Sequence, residues 1–186
     1  MFKIDSNKFC VEKIGSIQYR IKFYLSSKIE IRVNIFLKKD EDIIHQHGLS
    51  FISTCLVGSY DHCLYTLQSS DSDYFAFERK ENGVFLSPVA HKGTWVKICS
   101  QQFDAGQSLF LSPFAFHTVS IKEYPMITLV LRDREDTIQS VKFIDTKNFL
   151  TDIPVITTIS DEIEAEKVFN FFLKFLEELP GIRQEV

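Results

Sequence analysis

Residues 42–60, DIIHQHGLSFISTCLVGSY, set His45 and His47 one residue apart at the mouth of an apolar run that closes on Gly58. On an extended strand an i, i+2 pair leaves one face, and two imidazoles on one face can chelate one ion. Polar pairs also end ordinary strands, so HxH alone is weak evidence of a site. In GQSLFLSPFAFHTVSI (106–121) a third histidine, His117, follows Gly106 and Pro113 and opens another β-prone run. No GxGxxG, P-loop or βαβ texture offers a nucleotide or flavin chemistry instead.

The elements that must position these residues read as short strands. IQYRIKFYL (17–25), KIEIRVNIFL (28–37), LSFISTCLV (49–57), SYDHCLYTL (59–67), DYFAFER (73–79), TWVKICSQQ (94–102), SLFLSP (108–113), FHTVSI (116–121) and MITLVLR (126–132) are separated by glycines, polar turns or Pro125. In KIEIRVNIFL, Ile29, Ile31, Val33, Ile35 and Leu37 share one face; Glu30, Arg32, Asn34 and Phe36 share the other. Such a series predicts a closed or two-sheet antiparallel β-fold. After Pro154 the period changes. Val168, Phe169, Phe172, Leu173, Leu176 and Leu179 recur at helical spacing, with Ser160 as N-cap and Pro180-Gly181 as the stop, which predicts a helix over about 160–179. Its apolar stripe suits packing on the outside of the β-fold, or a dimerisation face that would make the protein a homodimer.

Composition bounds the function. The 186 residues, 45% hydrophobic and 25% charged, suffice for one well-buried core, so a single domain over 1–186 is the expectation. A net charge of −4 and the lack of a basic block argue against nucleic acid as a partner. Cys10, Cys55, Cys63 and Cys99 lack CxxC spacing, no secretory leader opens the chain, and no apolar segment approaches the roughly 18 residues that span a bilayer. A cytoplasmic protein with reduced thiols and no membrane partner is the reading that follows.

HQH, ten residues, Gly58, and later Gly106, Pro113 and His117 resemble the two-motif signature of the cupin superfamily. The resemblance covers residues 17–132 and implies a cupin-type double-stranded β-helix, a small jelly-roll barrel, with the C-terminal helix packed outside. It also implies a metal held by His45, His47 and His117. Phe51 and Ile52 stand where most cupins carry an acidic ligand, so the set is similar to the three-histidine cysteine-dioxygenase-like branch. Three neutral imidazoles leave Fe(II) its full double charge, which suits an anionic chelating substrate and dioxygen; Zn, Ni or Mn fit the same cage.

That branch reads a substrate carboxylate with an arginine, and Arg20, 25 residues ahead of His45, matches its place. Arg132 and Arg32 compete for the role. If Thr128, Val130 and Arg132 face the barrel interior, Arg132 needs an anionic partner, either a substrate or an internal acid such as Glu30. His62 and Tyr60, in GSYDHCLY, and Thr128 are the residues expected to support the ligands from behind. The chain departs from the animal thiol dioxygenases at Ile52 and Arg132, where those carry Cys and Tyr. The functional expectation is an Fe(II) dioxygenase-like enzyme acting on a small anionic molecule: an amino acid, a thiol or another carboxylate. A non-catalytic small-molecule-binding cupin and a metal-dependent isomerase or epimerase are the alternatives.

Overall fold

The computed structural model describes residues 9–15, 18–26, 28–38, 43–79, 89–133, 141–145 and 156–178. Ten strands and one helix follow in the order β1 (Phe9–Ile14), β2 (Gln18–Tyr24), β3 (Ile29–Phe36), β4 (Ile44–His47), β5 (Phe51–Arg79), β6 (Val89–Asp104), β7 (Ser108–Leu111), β8 (Phe116–Asp133), β9 (Val141–Asp145), β10 (Ile156–Thr158) and α1 (Glu162–Glu178). Every pairing is antiparallel. This is the all-β jelly-roll architecture with a C-terminal helix that the sequence predicts. No helix among the described residues is long and apolar enough to cross a membrane.

The strands divide between two faces of a barrel. On one, β10, β1, β2 and β3 continue into the second half of β8, which pairs in turn with the first residues of β5. On the other, β6 and the middle of β5 lie beside the first half of β8, followed by β4 and β9. β5 and β8 therefore serve both faces. Gly58 and Pro125, read from sequence as breaks between strands, are bends within them. Gly58 has φ +77°, and a Cβ there would lie 2.7 Å from the Glu123 carbonyl oxygen and 3.0 Å from that of Pro125. Only glycine lets β5 turn this close to β8.

Three strands fall outside the segment 17–132. β1 and β10 extend the first face, and β9 pairs with both β4 and the end of β5. They are short, and their place is set by long-range pairing that no local periodicity reports.

The period of two sorts the first face cleanly. Val11, Ile21, Val33, Ile35 and Ile127 point outward and are buried against Val168 and Phe172 of α1. Burial of side chains of this size contributes about 1.5–3 kcal/mol each. The helical stripe thus packs on its own sheet, although Leu173, counted in that stripe, is exposed. Asp161 rather than Ser160 caps the helix, because its Oδ1 accepts the amide N–H of Ile163 at 2.9 Å. Leu179 and the stop at Pro180-Gly181 lie outside the described residues.

The opposite side of the same strands is the barrel interior. Phe36 and Met126 mark it, packing with Cys55, Tyr60, Phe103 and Ile121 in an apolar plug at one end. Beyond the plug this inner face turns polar, carrying Glu12, Arg20, Lys22, Glu30, Arg32, Asn34, Thr128 and Arg132 in cross-strand register. The apolar core is therefore split between the plug and the sheet–helix interface.

Gly58→Ala should lower stability by about 1–3 kcal/mol, from the left-handed backbone and the contact with β8 together. Urea unfolding of the two proteins side by side measures it; an unchanged midpoint would contradict the role given to the bend.

Candidate metal centre

β4 has only four residues, but it is held between β8 and β9, and its register sets His45 directly opposite His117. Two residues along, His47 shares the inward face. Ring centroids are 4.3 Å apart for His45 and His117, 4.9 Å for His45 and His47, and 5.3 Å for His47 and His117. One nitrogen from each ring can be chosen so that all three lie within 4.8 Å of one another. Nitrogens on one ion at bond lengths of about 2.0–2.2 Å stand about 3 Å apart, so binding draws the rings slightly closer. The three histidines named from sequence are the only such cluster among the described residues.

The hydrogen bonds behind the rings decide which nitrogens are available. His45 Nδ1 donates to the carbonyl oxygen of Ile43 at 2.9 Å, leaving Nε2 with its lone pair facing inward. His117 Nδ1 lies 2.7 Å from His62 Nε2, and His117 Nε2 is buried with no hydrogen-bond partner. A single proton occupies the His62–His117 bond. On His117 Nδ1 it leaves Nε2 as a bare acceptor, ready for a cation; on His62 it would force a proton onto His117 Nε2, a buried donor with nothing to accept it. The first arrangement is the one that leaves no donor orphaned. An orphaned, buried imidazole acceptor facing two further imidazoles is what a divalent transition metal fits.

The environment keeps His47 and His117 in the neutral form. Burial pushes His47 and His117 well below their ordinary range, and neighbouring imidazoles add to the effect in both. The guanidinium charges of Arg32, Arg20 and Arg132 depress His47 further. Burial, with His45, pushes His62 down to about 4, so it too is neutral at pH 7 and able to accept. Phe51, its ring 5.2 Å from that of His47, and Phe143 of β9, 5.9 Å from His45, flank the cage with apolar surface. Neither was singled out as a site residue from sequence. Phe143 belongs to a strand outside the segment read as barrel, and only its alternation in VKFID hints at it.

The arginines line the inner face as their strand positions require, but their roles are redistributed. Arg132, the first candidate for an anion reader, does not keep an open fork: Nε donates to Glu30 Oε1 at 3.0 Å and Nη2 to Oε2 at 3.2 Å. Glu30 is 2% exposed, and a carboxylate buried that deeply needs such a pair. Burial pushes the Glu30 carboxyl up, and the charges and hydrogen bonds of Arg32 and Arg132 outweigh it, holding it below the usual range. Arg20 donates through Nε to Asn34 Oδ1 at 3.0 Å and through Nη1 to Glu12 Oε2 at 3.5 Å, so it is also engaged within the sheet. Among the described residues Arg32 donates only through Nε, to Glu30 Oε1.

Of the supporting residues, His62 touches a ligand. Thr128 does not; it accepts a hydrogen bond from Asn34 Nδ2 at 3.2 Å and reaches the cage only through the polar face. Tyr60 is part of the apolar plug, stacked on Phe103 at 5.5 Å with its hydroxyl bonded to Ser53, because it lies one strand step deeper than His62.

No family model matches the chain, and no curated protein matches it. Among solved structures it is similar to an RmlC-like cupin from Shewanella frigidimarina, at 16% identity and TM-score 0.43 over 74% of this chain and 94% of that one. KdgF from a Halomonas species matches at 10% identity and TM-score 0.45, over 73% and 95%. The polyketide cyclase RemF from Streptomyces resistomycificus matches at 10% and 0.41, over 75% and 84%.

His62→Leu, which removes the acceptor behind His117, should weaken metal binding by about 10- to 100-fold. His62→Gln, whose amide oxygen can accept the same N–H, should recover most of it. Competition against a chromophoric chelator reads both; a leucine variant that binds as tightly as the parent would show that His62 only fills space.

Proposed function

We propose that the chain is a metal-dependent cupin enzyme of the Fe(II) dioxygenase-like type, acting in the cytoplasm on a small anionic substrate with dioxygen. The observation that carries this reading is the inward-facing set of three imidazoles, with the buried Nε2 of His117 lacking any protein partner among the described residues. His45, His47 and His117 would hold the ion, with Zn, Ni or Mn as other occupants of the same cage. Bound there, Fe(II) would supply redox chemistry with dioxygen toward an anionic substrate, its charge undiminished by any carboxylate among the described residues of the cage.

The chain's own residues account for the rest. Phe51 and Phe143 limit water at the cage, and the cationic inner face opposite favours a negatively charged ligand. His62 holds one ligand in its metal-binding tautomer. The four cysteines are all free, in keeping with a reducing compartment.

The isomerase alternative asks for an acid–base group close to the metal. The only titratable side chain the described residues hydrogen-bond to the cage is His62, and at about 4 it is a poor base at neutral pH. A purely binding cupin would use the same residues without turnover.

Protein purified without chelators should carry a single transition-metal ion per chain, and His117→Ala should lose it while keeping its fold. Reconstituted with Fe(II), the parent should consume dioxygen with at least one member of a panel of carboxylates, amino acids and thiols, and the variant with none. Metal uptake without dioxygen consumption across the panel would leave the binding reading in its place; no metal at all would remove both.

A further inference from the structure

The outer face of the first sheet is only half covered. Cross-strand register lines up Phe23, Ile31, Leu131, Ile52 and Phe110 in one outward row over β2, β3, β8, β5 and β7. At the β2 end the row lies under α1, where the Phe169 ring is 6.2 Å from that of Phe23. At the other end Leu131, Ile52 and Phe110 are bare. So are Ile29, two residues before Ile31 on the same face, and Leu25, two residues after Phe23. These five side chains are 43–65% exposed, and none belongs to either apolar cluster of the structure.

Together the five leave about 500 Å² of apolar surface in water, at the upper end of what a monomer carries. The chemistry of the face decides what covers it. The outward positions of β2, β3, β7 and the paired stretches 51–54 of β5 and 127–131 of β8 carry no charged residue, and Asp133 at the end of β8 bounds the face. Beside the bare row the hydroxyls of Thr54 and Ser108 bond each other at 2.8 Å, so they keep a partner when water leaves. A charged partner or a lipid headgroup finds no counter-charge here. A second copy of the same face meets apolar surface with apolar surface and sets no like charges together. β7 has no neighbour beyond it among the described residues, so no strand stands at the Phe110 edge to hold two copies apart. Two such faces remove about 1,000 Å² of apolar side chain from water, and with the surrounding backbone and rim they reach the roughly 1,200–2,000 Å² of a specific interface.

We propose that the protein is a homodimer whose two-fold axis passes beside Leu131, each copy laying the bare half of its outer face, from Ile29 to Phe110, on the other's. This is not the dimerisation face expected from sequence, because that helical stripe is buried on the helix's own sheet. Nor does it touch the histidine cage: Leu131 and Ile52 alternate with the inward Arg132 and Phe51 on the same strands, so dimer and metal centre lie on opposite sides of one sheet.

Sedimentation velocity of the full chain from about 1 to about 100 μM tests it, with the dimer expected at the upper end of the range. Leu131→Asp should weaken the association by at least about 100-fold and Phe110→Ser by at least about tenfold. Ile98→Asp, at a side chain 61% exposed on β6, should leave it unchanged. A parent that stays monomeric throughout, a Leu131→Asp protein that associates like the parent, or an Ile98→Asp protein as dissociated as Leu131→Asp would each overturn the proposal. Should Leu131→Asp fail to fold, amide hydrogen exchange in the parent decides: exchange in β7 slows as concentration rises if the face closes on a second copy, and unchanged rates overturn it. A monomeric parent that floats with uncharged phosphatidylcholine vesicles would overturn it in favour of a lipid surface.

Discussion

The pairing of His45 with His117 across β4 and β8 is the constraint on which the site depends. A slip of one residue in a four-residue strand would turn His45 and His47 to the other face and bring Gln46 inward in their place. Two things oppose the slip. β4 is flanked on both sides, by β8 and by β9, and the ring of His45 is tied to the carbonyl of Ile43 at the strand's own start. β9 reaches β4 only because it also pairs with the far end of β5, so the cage depends on contacts between segments almost a hundred residues apart in the chain.

The barrel pays for this site by giving up part of its interior to charge. On β1, β2, β3 and the second half of β8, the aliphatic side chains face out toward the helix, while carboxylates, guanidiniums and an amide face in. Packing that a small barrel usually finds inside is moved to α1, whose Val168 and Phe172 cover the outer aliphatic stripe. The inward charges are tolerated because Glu12 is held by Arg20 and Lys22, and Glu30 by Arg32 and Arg132, around the hydrogen-bonding hub of Asn34. The result is a cationic wall facing the histidine cage. A cation in that cage and an anion between cage and wall each lower the cost of the other.

Much of this was legible in the sequence for one reason: strands alternate with a period of exactly two side chains, so identity and spacing fix which residues share a face. His45 and His47, Thr128 with Arg132, and Glu30 with Arg32 and Asn34 were readable in that way, as was the helical stripe around Val168 and Phe172. Alternation does not say which face is inside. Nor does it say which of several arginines meets Glu30, since that depends on strand pairing across a hundred residues. Gly58 and Pro125 looked like strand ends because glycine and proline more often end strands than bend them. β10, with three residues, is too short to show a period, and β1 and β9 are placed by long-range pairing that local alternation does not report. Asp161 took the capping role from its neighbour Ser160 through a geometry that both residues could have supplied.

The central claim is that three imidazoles, and no other protein group, hold one metal ion. X-ray absorption at the metal edge of protein loaded with a single equivalent of Zn(II) or Fe(II) measures it directly. The account predicts a first coordination sphere of nitrogen and oxygen scatterers with three imidazole nitrogens at about 2.0–2.2 Å and no sulfur. Fewer imidazoles than three, or a sulfur from one of the four free cysteines in the sphere, would contradict it.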